Sequence, residues 1–213
     1  MITQLMKKDL YLNGVYYLVI VPLIPVFYVI ELSDIYFFFA IILGFLFSLF
    51  YSDNLNNVNR FIGSLPVKLH HIVLSRYASL LLFVIGFLLY VWLVDSLAHY
   101  GSPYLASQQI DSISMTILFT TICIIVSISF PIYYYVESFN KAFFFQIIFL
   151  LFSSFTFAIF QGNELISFHE PFLKWLFDVI AFQPIVILIV ISFVFLYLSY
   201  LLSAKIYTKK AKV

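Results

Sequence analysis

Long apolar runs make up most of this chain, and short polar segments separate them. Six runs reach or approach the length of a membrane-spanning helix. They cover residues 14–30, 35–51, 77–94, 113–136, 142–160 and 179–204. A helix needs about 20 apolar residues to cross the roughly 30 Å of hydrocarbon in a bilayer, and runs of this length exceed the length of strands. The pattern predicts an all-α membrane protein in which residues 1–213 form a single transmembrane domain of six transmembrane helices.

The composition excludes a water-soluble protein. Of the 213 residues, 64% are hydrophobic and 10% are charged, whereas soluble domains carry about 25% charged residues. Intrinsic disorder requires low hydrophobicity and high charge, so it is excluded as well. The net charge of +1 gives no basic field for nucleic acid, and a single cysteine rules out an internal disulfide framework. We therefore expect membrane lipids, and no nucleic acid, among the partners.

The positions of the basic residues predict the orientation in the membrane. With six spans, both chain termini and the second and fourth loops lie on one side. Of the 11 Lys and Arg residues, only Lys174 falls on the other side. Loops rich in Lys and Arg face the cytoplasm. The sequence therefore predicts a multi-pass membrane protein with both termini in the cytoplasm.

Two segments next to the predicted spans have patterns that fit more than one structure. Residues 1–13 place apolar side chains at helical spacing beside Lys7 and Lys8, which is typical of a short helix in the membrane interface. A basic flank without a separate helix fits this stretch equally well. Residues 161–178 mix aromatic and charged side chains, and Pro171 is well placed to start a helix. They are expected to form short re-entrant helices on the external side or a simple aromatic anchor.

The polar segment 52–76, on the predicted cytoplasmic side, has a pattern of its own. Four apolar residues recur at i, i+3, i+4 and i+7 and form one stripe of a helix; they are Val58, Phe61, Ile62 and Leu65. Arg60 faces away from this stripe. Pro66 ends the helix, because the residue before a proline is driven toward extended geometry, and a second helix then runs through Arg76 into the third span. The pattern predicts a firm helical lever; the alternative is a basic loop that only sets the topology.

Small polar side chains recur along one face of the fourth predicted span. They are Thr116, Thr120, Cys123 and Ser127. Such residues usually let two membrane helices pack closely and share hydrogen bonds. The alternative is that this face lines a dimer seam or a passage for a transported molecule.

Sequence signatures of catalysis are missing from the chain. It has no Gly-x-Ser-x-Gly elbow, no His-Glu-x-x-His zinc helix and no phosphate-binding Gly-x-x-x-x-Gly-Lys-Ser/Thr loop, so no catalytic, cofactor or metal site is predicted. If the protein works against a gradient, the energy must come from a partner. The residues alone still leave open an intramembrane enzyme, such as a protease or lipid transferase, and a non-transporting membrane immunity protein.

Three segments carry a family resemblance. Residues 53–77 combine an acidic and polar start, an aromatic helix, Ser-Leu-Pro and a basic helix ending in Arg-Tyr. Residues 130–141 begin with Phe-Pro-Ile-Tyr-Tyr-Tyr, and residues 202–210 form a basic tail. In this order the three segments resemble those of ABC-2 type transporter permeases, which are small six-span bacterial membrane proteins. The likeness extends over essentially the whole chain.

This resemblance implies a permease subunit of an ATP-driven exporter. Such a permease pairs with itself or a sister permease and docks two cytosolic ABC ATPase subunits, which bind ATP and Mg²⁺, so the chain itself would need no cofactor and would not be an enzyme. The loop after the second span carries the coupling helix, which would place Val58, Arg60, Phe61, Ile62 and Leu65, with Pro66 behind them, against the ATPase. The expected cargo is an amphipathic peptide, a toxin or antibiotic, or a lipid-like molecule.

Overall fold

The computed structural model describes residues 2–30, 35–55, 68–101, 110–136, 138–162 and 182–210. This part of the chain contains seven α-helices and no strand, which confirms the all-α prediction. The helices are α1 (Ile2–Leu12), α2 (Gly14–Val29), α3 (Ile35–Leu55), α4 (Leu69–Gly101), α5 (Ser112–Tyr135), α6 (Phe139–Gly162) and α7 (Pro184–Lys210).

Three of these helices, α4, α5 and α7, are long and apolar enough to cross a membrane on their own. Helices α1 and α2 meet the same criterion together, but the chain bends by 63° between them. In α3 and α6 the apolar stretches are shorter and comprise Ala40–Leu55 and Phe139–Ser153. The described residues therefore support a membrane-embedded helical domain, and the count of six spans stays a prediction.

The helices lie close to the predicted apolar runs and differ from them mainly at their ends. The largest difference is in α4, which begins at Leu69 and ends at Gly101, well outside the run 77–94. The helix continues into both polar flanks because Arg76 and Asp95 find buried partners there. Helix α7 begins at Pro184, a residue suited to the first helical position because that position needs no N–H donor.

Aromatic rings join α2, α3 and α4. Phe45 of α3 stacks on Phe83 of α4 with a centroid distance of 3.7 Å. Tyr17 of α2 lies 5.6 Å from the first ring and 5.5 Å from the second. These helices are apolar on all sides, so their hydrophobic pattern alone does not select a contact face. The ring contacts, together with the polar contacts described below, define which faces meet.

Helices α5 and α7 form the most extensive helix pair of the described residues. The face that α7 turns inward carries serines, of which Ser192, Ser199 and Ser203 are buried. Small residues at a helix contact allow the two backbones to approach closely. Tyr77 of α4 closes the group, because its hydroxyl lies 2.6 Å from the Ser199 hydroxyl and 2.9 Å from the Ser203 hydroxyl.

The two ends of the bundle differ in charge. All described Lys and Arg residues lie near helix ends that meet at one end of the bundle. They are Lys7, Lys8, Lys68, Arg76, Lys141, Lys205, Lys209 and Lys210. We call the end of the bundle that carries these residues the basic end. At the opposite end, the buried Asp95 of α4 accepts a hydrogen bond from the Tyr28 hydroxyl at 2.9 Å and another from the Ile110 backbone N–H at 3.1 Å.

The Gly44→Ala variant tests the close approach of α2 to α3. A methyl group at Gly44 would collide with the Tyr16 hydroxyl, which donates a hydrogen bond to the Ile41 carbonyl. We expect a destabilisation of about 1–3 kcal/mol, as for other overpacked sites, measured by thermal denaturation in detergent. The matched control is Gly86→Ala, since a methyl group there meets no atom within 4 Å. Equal melting temperatures for the two variants would contradict this packing.

A second prediction concerns the opposite end of the bundle. Tyr28→Phe removes a hydrogen bond to the buried Asp95 carboxylate, and hydrogen bonds to charged groups contribute about 1.5–3 kcal/mol. We expect the melting temperature to fall accordingly. Tyr100→Phe serves as the control because Tyr100 is exposed at the same end. A fall of the same size in both variants would show that the Tyr28–Asp95 bond contributes nothing specific.

Candidate functional site: a buried ion cluster at the basic end

Four charged side chains from three helices meet at the basic end. Lys8 and Asp9 come from α1, Asp53 from the last turn of α3, and Arg76 from the second turn of α4. Asp9, Asp53 and Arg76 are 1%, 5% and 4% exposed, respectively. We call these four residues the ion cluster.

Arg76 connects the two acids of the cluster. Its Nη1 lies 2.9 Å from Asp9 Oδ1, and its Nη2 contacts Asp53 Oδ2. Lys8 Nζ completes the arrangement at 3.0 Å from Asp9 Oδ1 and 3.3 Å from Asp53 Oδ1. Two cations thus neutralise two anions. Buried charges require such partners, because the removal of an ion from water is very unfavourable. The planar guanidinium suits this role, since its several donors point in fixed directions.

Small polar residues around the cluster hold α1 in place. Ser79 of α4 donates from its hydroxyl to Asp9 Oδ2 at 3.2 Å, and both Ser75 and Ser79 are buried. At the bend between α1 and α2, the Asn13 amide donates to the Asp9 carbonyl at 2.8 Å. Ser48 of α3 in turn donates to the Asn13 side-chain oxygen at 2.7 Å. The bend is therefore tied to both α3 and α4.

A cavity of about 210 Å³ lies directly beside the ion cluster. Asp53 and Arg76 contribute to its wall, so the cavity and the ion cluster share two residues. The remaining wall is largely aromatic, and Lys210 belongs to it. The aromatic residues of the wall are Phe50, Tyr133, Tyr134, Phe139 and Tyr207.

Comparison with known proteins identifies the family. The family described as ABC-2 family transporter protein matches residues 4–208. The chain belongs to this family. No curated protein and no solved structure matches it.

Membership in the ABC-2 transporter family settles the general role of the chain. It is a membrane-embedded permease component of an ABC transporter, and it works with an ABC ATPase subunit. The resemblance noted in the segments 53–77, 130–141 and 202–210 is thereby confirmed at the level of the family.

The predicted ATPase-contacting residues lie outside the part of the chain that the structure describes. They are Val58, Arg60, Phe61, Ile62, Leu65 and Pro66, and the described helices end at Leu55 and resume at Leu69. The structure instead describes the two flanks of this segment. One flank carries Asp53 and the other carries Arg76, and these two side chains contact each other.

The polar face of α5 is described in full. Thr120, Cys123 and Ser127 are buried, whereas Thr116 is half-buried. This face contacts α7, since the Ser199 hydroxyl donates to the Ser127 carbonyl at 2.6 Å. In the structure the face therefore takes part in helix packing within one chain.

Sequence reasoning missed the ion cluster, although one signal pointed to it. The sequence pattern places Arg76 only in the helix that leads into the third span and Asp53 only in the acidic and polar start of residues 53–77. Asp9 and Asp53 are acids on the predicted cytoplasmic side, which is otherwise rich in Lys and Arg. An acid on that side, close to an apolar run, is a candidate partner for a buried base.

The Arg76→Gln variant tests the cluster. It leaves Asp9 and Asp53 with too little positive charge in a buried site, and removing one partner of a buried ion pair costs about 3–5 kcal/mol. We expect a large drop in the melting temperature in detergent, whereas the exposed Lys205→Gln at the same end should change little. Adding Asp53→Asn to Arg76→Gln should restore part of the loss. A single Arg76→Gln variant as stable as Lys205→Gln would disprove the pairing.

Proposed function

We propose that this ABC-2 permease is half of the membrane part of an exporter, with its basic end in the cytoplasm. It pairs with a second copy or a sister permease, and two cytosolic ATPase subunits bind ATP and Mg²⁺ and supply the energy. The placement of basic residues at one end supports this orientation, because cytoplasmic segments are rich in Lys and Arg. The cargo is an amphipathic peptide, a toxin or antibiotic, or a lipid-like molecule.

The ion pair between Asp53 and Arg76 is the observation that supports this proposal most. The two residues flank segment 56–67, which contains the proposed ATPase contacts. Because Asp53 and Arg76 contact each other, the helices on the two sides of the segment, α3 and α4, are fixed to each other. A force applied to the segment would act on α3 and α4 together, and through Asp9 on α1.

Helix α4 is suited to carry such a force to the other side. It runs without interruption for 33 residues, which corresponds to about 50 Å at 1.5 Å per residue. Near its far end, Asp95 is bonded to Tyr28 of α2 and to the Ile110 backbone. A tilt of α4 driven from the cytoplasmic end would therefore move α2 and the start of α5 at the external end.

In this scheme the apolar contact with the ATPase is formed by Val58, Phe61, Ile62 and Leu65. Arg60 contributes a positive charge to this contact, and Pro66 fixes the turn that follows the helix. The polar face of α5, formed by Thr116, Thr120, Cys123 and Ser127, serves as a dimer seam or as part of the passage. Helix α7 covers three of these four residues. The polar face of α5 would become accessible to a second permease or to a transported molecule only when α5 and α7 move apart.

The double variant Phe61→Asp with Leu65→Asp tests the coupling assignment. Two carboxylates on the proposed apolar stripe would need to be desolvated against the ATPase, which is strongly unfavourable. We expect the ATPase to be lost from the purified complex, with at least a tenfold weaker association, while the permease remains in the membrane fraction. Co-purification from detergent-solubilised membranes measures both.

A matched control uses the opposite end of the bundle. Ile113→Asp introduces a carboxylate at an exposed apolar position near the start of α5, and it should leave the ATPase bound. If the ATPase stays associated with the Phe61→Asp and Leu65→Asp variant at full affinity, the segment is not the docking site. If both variants lose it, the loss reflects general damage to the permease.

A further inference from the structure

Prolines lie inside two of the helices that the structure describes. Helix α2 contains Pro22 and Pro25, and α5 contains Pro131. A proline has no N–H, so the carbonyl four residues earlier loses its partner within the helix. Pro25 does this to the Val21 carbonyl, and Pro131 does it to the Ser127 carbonyl. Hydrocarbon offers no water as a substitute, so such a carbonyl needs a donor from a neighbouring group.

A hydroxyl from α7 bonds the carbonyl that Pro131 leaves without a helical partner. Ser199 Oγ donates to the Ser127 carbonyl at 2.6 Å, and this bond is buried. A hydroxyl has a single proton to donate, so Ser199 accepts its second bond, from the Tyr77 hydroxyl of α4 at 2.6 Å. The Tyr77 oxygen in turn accepts from the Ser203 hydroxyl at 2.9 Å. The α5 carbonyl therefore ends a chain of hydroxyls in which Tyr77 is the member that belongs to α4.

A tyrosine of α4 does the same for α2. The Tyr90 hydroxyl donates to the Val21 carbonyl at 2.7 Å, and this is the carbonyl that Pro25 leaves without a helical partner. On the other side of the proline, the Tyr28 hydroxyl of α2 donates to Asp95 of α4. Helix α4 therefore holds α2 both before and after Pro25.

These two hydroxyl bonds differ from other contacts between helices. The proline has already removed the helical bond to the carbonyl, so the hydroxyl bond can open without breaking a backbone hydrogen bond of the helix. Prolines are also the usual points at which helices bend. The two bonds lie near different ends of the bundle, since Tyr90 follows Tyr77 by 13 residues, or about 20 Å along α4. Each bond connects α4 to a point at which a neighbouring helix can bend.

We propose that the segments around Pro25 and Pro131 are two hinges, and that hydroxyl bonds connected to α4 hold them in place. Tyr90 holds the hinge of α2, and Tyr77 holds the hinge of α5 through Ser199. When such a bond opens, the helix bends at its proline. One step rests on the proposed function: a tilt of α4 driven by the ATPase opens both bonds, which also releases α5 from α7.

The first test compares the Tyr90 hydroxyl with its proline. Hydrogen exchange of the backbone amides, measured by mass spectrometry on the full chain in phosphatidylcholine nanodiscs, reports local opening. Tyr90→Phe should speed exchange in residues 26–30 about fivefold, which corresponds to one hydrogen bond. In Pro25→Ala the new N–H bonds the Val21 carbonyl within the helix, so the addition of Tyr90→Phe should cause no further change in exchange.

The same comparison applies to the hinge of α5. Ser199→Ala should speed exchange in residues 132–136 about fivefold, and it should cause no further change when it is added to Pro131→Ala. Tyr77→Phe is a milder second variant, because it leaves Ser199 in place to donate to the carbonyl. It should speed exchange in the same residues about twofold, and only while Pro131 is present.

Pro22→Ala is the matched control, because Pro22 lies in the same helix as Pro25 but frees the carbonyl of Leu18. Tyr90→Phe should keep its full effect on exchange in that background. If a hydroxyl substitution has the same effect with and without its own proline, the bond is an ordinary packing contact and the hinge proposal is wrong. Hydroxyl substitutions that leave exchange unchanged in the otherwise unmodified chain would also overturn it.

The step that rests on the proposed function is tested in the complex with the ATPase subunit. Binding of a non-hydrolysable ATP analogue should speed exchange at both hinges together, about fivefold if both bonds open fully. An intact complex in which the analogue changes exchange at neither hinge, or at only one, would show that α4 does not open them. A failure of the proposed function looks different: the ATPase then does not co-purify with the permease, while the results for the permease alone still stand.

Discussion

Arg76 binds carboxylates from two other helices at a buried site, and the arrangement of the basic end depends on this contact. Removing an ion from water costs several kcal/mol even after the surroundings relax, so none of these groups is stable there without its partners. The pairing therefore fixes α1, α3 and α4 relative to one another. Helix α1 is too short to be stable in isolation, and its ion pairs with α3 and α4 stabilise it at this position.

A second buried charge stands at the far end of α4. Asp95 lies 19 residues after Arg76, a distance of about 28 Å along a helix, close to the roughly 30 Å thickness of the hydrocarbon. Both side chains are turned into the protein, as expected for ionisable groups near the membrane. The helix is thus polar and anchored at each boundary and apolar between them.

The positions of the helices could be predicted from the sequence, because a chain in lipid must satisfy its backbone hydrogen bonds internally and hydrophobicity alone marks the segments. Helix α5, Ser112–Tyr135, differs from its predicted run 113–136 by one residue at each end. The faces that meet could not be predicted, since these helices are apolar all round. Asp9 and Arg76 are far apart in the chain, so the spacing of apolar and polar residues does not predict their contact.

The ion cluster and the cavity share Asp53 and Arg76, so they are not independent. An anion in the cavity would interact favourably with Arg76 and unfavourably with Asp53, and both effects depend on whether the pair is closed. Coupling between two such sites is reciprocal. Opening of the Asp53–Arg76 pair would change the wall of the cavity, and a change in the cavity would in turn change the charges that face the pair.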